Sequence, residues 1–61
     1  MLSENIKQAL TYVSEMVIKE FDITSKNVFK FDLKKLAVDF GVKSQYSEFV
    51  AMTIATSFEY Y

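Results

Sequence analysis

Lys43, Ser44, Gln45 and Glu48 place a cation, a hydroxyl, an amide and a carboxylate within six positions of one another. A glutamine amide offers a donor and an acceptor side by side, a carboxylate only accepts, and an ammonium only donates. Together such groups can match a pattern of donors and acceptors on a flat polar ligand. Lys26, Lys30, Lys34 and Lys35 precede them and supply point charges suited to anionic oxygens. A plainer reading also fits: Ser44 and Gln45 as cap and surface residues, and lysines that keep an apolar chain in solution.

Other chemistries are removed by composition. The chain has no histidine and no cysteine, so the common nucleophile–base pairs cannot be assembled. Disulfides and the usual zinc sites go with them. Its single glycine cannot form a phosphate-cradling loop. The acidic residues are scattered over predicted solvent faces rather than gathered in a pair. The expectation is a protein that is not an enzyme and uses no metal or cofactor.

The elements that must position these side chains follow from apolar spacing. Ser3 is a good N-cap, and Ile6, Ala9, Leu10, Val13, Met16, Val17 and Phe21 form one stripe at intervals of three and four. That predicts a first helix over 4–21, with Tyr12 and Ile18 lying off the stripe. Residues 22–27, DITSKN, read as a connection. Residues 28–31 are β-branched and aromatic, which suggests a short extended segment. Asp32 caps a second helix over 32–40, carrying Leu33, Leu36, Ala37 and Phe40 at helical spacing. Gly41 is its expected left-handed C′ residue. Ser44 is the expected cap of a third helix over 44–60. The fold class predicted is all-α, one domain of three helices.

The run from Asp32 to Val50, DLKKLAVDFGVKSQYSEFV, resembles the helix-turn-helix of DNA-binding proteins. The resemblance rests on Leu36 and Ala37 in the first helix, Gly41 and Val42 in the turn, and Val50 in the second helix. It departs at Ser47, where such motifs usually carry a branched aliphatic. What it implies is a small transcriptional regulator of double-stranded DNA, with Lys43, Ser44, Gln45 and Glu48 reading base edges in the major groove. Lys26, Lys30, Lys34 and Lys35 would then touch phosphates. A ribbon-helix-helix arrangement also has an extended segment before two helices, but it would have to displace the long first helix.

Charge distribution agrees with that placement. Net charge is −1, which does not favour strong non-specific nucleic-acid binding. Residues 26–43, however, carry five lysines against Asp32 and Asp39, while the flanking segments are both acidic.

Half the residues are hydrophobic, including six Phe and four Tyr. A chain of this length buries only about 60 % of its unfolded surface, so a homodimer or a bound partner is expected to cover the excess. The outer faces of the first and third helices are the candidates, through Tyr12, Ile18, Met52, Phe58 and Tyr61. An alternative function follows from the same excess: an inhibitor or adaptor that docks on a larger protein through an aromatic-rich helical surface. The N-terminus MLSENIKQ lacks the pattern of a signal peptide. The longest uncharged stretch, Phe49 to Phe58, is ten residues, well short of the ~20 needed to cross a bilayer. A cytoplasmic protein with no membrane association is expected.

Overall fold

The first helix begins where a side chain can satisfy a free backbone N–H. Ser3 is extended (φ −68°, ψ 159°), and its Oγ accepts from the Ile6 N–H at 3.2 Å. A computed structural model describes residues 2–58 and holds α1 at Glu4–Glu20, α2 at Leu33–Asp39 and α3 at Ser44–Ser57. A 3-10 turn occupies Val28–Lys30, and there is no strand among the described residues. The all-α, three-helix expectation holds.

Termination of α1 does not use glycine. Asp22 takes the left-handed conformation at φ 51°. Its N–H donates to the Lys19 carbonyl at 3.4 Å, and the Ile23 N–H donates to the Ile18 carbonyl at 3.0 Å. This pair of bonds is the Schellman arrangement. Aspartate is among the few side chains that tolerate positive φ. Asn27 then closes the connection: its Oδ1 accepts from the Thr24 N–H at 2.6 Å, and its Nδ2 donates to the Asp22 carbonyl at 3.1 Å. The buried Ile23 is thereby fixed under the helix end.

The inner face of α1 is narrower than the predicted stripe, and it is rotated. Leu10, Ser14 and Val17 are buried, whereas Ile6, Ala9, Met16 and Phe21 are exposed. A serine can occupy the centre because its Oγ donates to the Leu10 carbonyl at 2.8 Å, leaving no unpaired hydroxyl. Ile18, expected on the outside, is half-buried and packs against the core.

Residues 28–31 correct the expectation of an extended segment. They turn as a 3-10 helix, with only Phe31 extended. In that geometry residues three apart share a side, so Val28 enters the core and Phe31 packs beside it, while Phe29 stays exposed. The apolar spacing that matters here is three, not the two of a strand.

Leu10, Val17, Ile23, Val28, Ala37, Val50 and Ile54 form the buried core. Helix α3 packs on both α1 and α2, which scarcely touch each other. It presents one buried face, Ser47, Val50 and Ile54. It ends at Ser57 with Phe58 as its C-cap, and residues 59 and 60 of the expected 44–60 helix, with Tyr61, lie outside the described residues. No described helix is long and apolar enough to cross a membrane.

Candidate functional site

Helix α2, the turn after it and the start of α3 form one unit whose geometry begins with Asp32. Its Oδ1 accepts from the Lys35 N–H at 3.3 Å, starting a helix of only seven residues. Gly41 stops that helix at φ 110°. Its N–H donates to the Val38 carbonyl and the Val42 N–H to the Ala37 carbonyl, both at 3.0 Å. This second Schellman end turns Val42 inward, where it packs half-buried against the core. Ala37 and Val50 are fully buried, and the small Ala37 side chain lets α2 approach α3 closely.

Ser47 departs from the usual aliphatic pattern without leaving a polar defect. It is buried, and its Oγ donates to the Ser44 carbonyl at 2.8 Å. Ser44 itself is not the cap that the sequence suggested. The half-helical position belongs to Lys43 (φ −60°, ψ 141°), no side chain caps the helix, and Ser44 is its first residue. A displacement of one residue is ordinary at helix ends. Here it arises because Lys43 already has the extended backbone that a cap requires.

Lys43, Ser44, Gln45 and Glu48 are all exposed at the first turns of α3. Gln45, Glu48 and Met52 recur at intervals of three and four, so they share the face opposite Ser47, Val50 and Ile54. Met52 lies about 10 Å beyond Gln45 along the axis and is 62 % exposed. The expected self-association residue Met52 thus shares an exposed face with the expected readout residues Gln45 and Glu48. Beside it, Phe49, Met52, Thr53, Thr56 and Ser57 line a shallow, largely apolar depression of about 330 Å³. Phe58, another association candidate, is half-buried and packs against the core.

The lysines are distributed over three elements. Lys34 and Lys35 are exposed on α2, Lys30 in the 3-10 turn and Lys26 in the preceding connection. Lys35 Nζ lies 3.5 Å from Asp39 Oδ2 on the same helix, and both side chains are mostly in solvent. Such a pair is worth little and leaves the ammonium accessible. No group of three or more acidic, histidine or cysteine side chains able to hold a metal occurs among the described residues. No protein-family model matches the chain, and neither the curated proteins nor the solved structures contain a significant match to it.

Proposed function

We propose that this chain is a small cytoplasmic DNA-binding regulator that acts as a homodimer and contacts DNA through its α2–turn–α3 unit. One observation carries the reading. The unit joins a buried Ala37–Val50 seam and a glycine-terminated turn to an exposed polar start of α3. In helix-turn-helix proteins the second helix enters the major groove by its N-terminal residues, while the first crosses the backbone. Gln45 can then make a paired contact to adenine, and Glu48 can accept from cytosine. Met52, on the same face two turns later, suits a thymine methyl. Lys34 and Lys35 on the crossing helix, with Lys43, Lys30 and Lys26 around it, supply phosphate contacts that fix register without reading sequence.

The depression beside Met52 favours a second reading, in which α3 docks on a larger protein. Its lining of Phe49, Met52 and methyl-bearing threonines would accept an apolar side chain from a partner. The two readings separate by salt dependence. Anisotropy of labelled AT-rich duplex, measured from about 50 to 200 mM salt, should show a steep loss of affinity if phosphates are contacted. Gln45→Ala should cost about 1–3 kcal/mol and relax preference at one base position. Lys34→Ala should weaken every duplex alike and lower the salt slope by about one unit. Absence of binding at the lowest salt would transfer the function to the protein-docking surface.

A further inference from the structure

The rotation of α1 leaves a flank that its own domain does not cover. Ile6, Ala9, Val13 and Met16 recur at spacings of three, four and three, within an arc of about 80°. Ile6 is 36 % exposed and Met16 42 %, and Tyr12 beside them is 65 % exposed. Ala9 is exposed as well, and Val13 is half-buried. The charged residues between Glu4 and Lys19 all fall outside this arc; Glu20, at the helix end, is the one charge within it.

We propose that this flank is a self-association seam on which two copies pair their α1 helices antiparallel. The occupant is a second copy because the flank is complementary to itself under a two-fold axis. Small residues lie at its centre and bulky ones at its ends. Antiparallel pairing sets Ala9 against the partner's Val13, where crossing helices come closest, and Ile6 against the partner's Met16, where they diverge. Charge selects the same direction. A parallel pair would bring the two Glu20 side chains to one level. The antiparallel pair carries each Glu20 just beyond the N-terminal end of the other helix, level with Leu2, where the dipole favours an anion. Glu4 does not oppose it, since it lies on the far side of α1. Tyr12 falls beside the axis and meets its own copy. The contact is one helix per subunit, which belongs with small, weak interfaces. This deepens the homodimer part of the proposed function, yet it stands without DNA.

Sedimentation equilibrium without nucleic acid, over about 5–500 µM chain, reads the mass directly. The expected result is a concentration-dependent dimer. Ala9→Lys places like charges at the centre and should weaken dimerisation at least about tenfold. Because Ala9 is exposed, far-UV circular dichroism should stay unchanged. Met52→Lys, on α3, should leave the dimer intact. The absence of native cysteine lets single substitutions report orientation through a short bifunctional maleimide. Tyr12→Cys should cross-link to its own copy, and Lys19→Cys should not. A monomer throughout the range, a dimer that survives Ala9→Lys but not Met52→Lys, or cross-linking by Lys19→Cys would each overturn the proposal.

Discussion

Replacing Gly41 by alanine isolates backbone strain at the turn on which the candidate interface depends. Gly41 stands at φ +110°, and a Cβ placed there meets nothing within 4 Å. The substitution therefore adds no clash and removes no contact. Its cost is confined to holding an L-residue in a region such residues avoid. That costs about 1–3 kcal/mol. The smaller conformational freedom of unfolded alanine returns about 0.4–1 kcal/mol. A net loss of about 1–2 kcal/mol is expected. For a chain of 61 residues, total stability is roughly 3–9 kcal/mol. The corresponding fall in Tm is roughly 5–15 °C. Asp22, at φ 51° in the same kind of helix end, supplies the converse test. Asp22→Gly relieves its strain and should stabilise by about 0.5 kcal/mol. Urea and thermal unfolding followed by far-UV circular dichroism measure both. A Gly41→Ala protein as stable as the parent, or an Asp22→Gly protein weakened as much as Gly41→Ala, would refute the strain argument.

Three further perturbations follow from the packing. Ile54→Ala removes a fully buried side chain from the face of α3 that joins the helices; the expected loss of about 2–5 kcal/mol approaches the whole stability, so the urea transition should be lost or move close to zero denaturant. Asn27→Ala deletes both hydrogen bonds that close the 22–27 connection, and should cost about 1–2 kcal/mol in urea unfolding. Lys35→Ala breaks only a solvent-exposed pair with Asp39, so Tm should be nearly unchanged while duplex affinity and salt slope both fall.

Local signals were legible wherever the chemistry of one residue decides the backbone. Ser3 and Asp32 cap as their hydroxyl and carboxylate imply, and Gly41 ends α2 as a glycine should. Asp22 hides the end of α1, because aspartate adopts positive φ only in a favourable setting and residue type does not announce it. The direction faced by α1 was less legible for a different reason. Apolar spacing finds a stripe but not its centre when a hydroxyl can satisfy itself, as Ser14 does, and displace Met16 and Ile6 outward. The same effect lets Ser47 stand in the α2–α3 seam. Residues 28–31 are ambiguous in the sequence because four residues do not distinguish a period of two from a period of three. The polar start of α3 was visible as a group in the sequence. Spacing alone puts Met52 on the face of Gln45 and Glu48; that this face is the exposed one is known only once Ser47, Val50 and Ile54 fix which side is inside.

Contact of DNA with the start of α3 and the adjoining α2 can be read residue by residue, by titrating the labelled protein with AT-rich duplex and following its amide resonances by NMR. At about 50 mM salt, progressive shifts are expected on Lys43 to Glu48, on Met52 and on Lys34 and Lys35. The Tyr12–Met16 flank of α1 should remain unperturbed. Spectra unchanged by excess duplex, or shifts confined to α1, would contradict it.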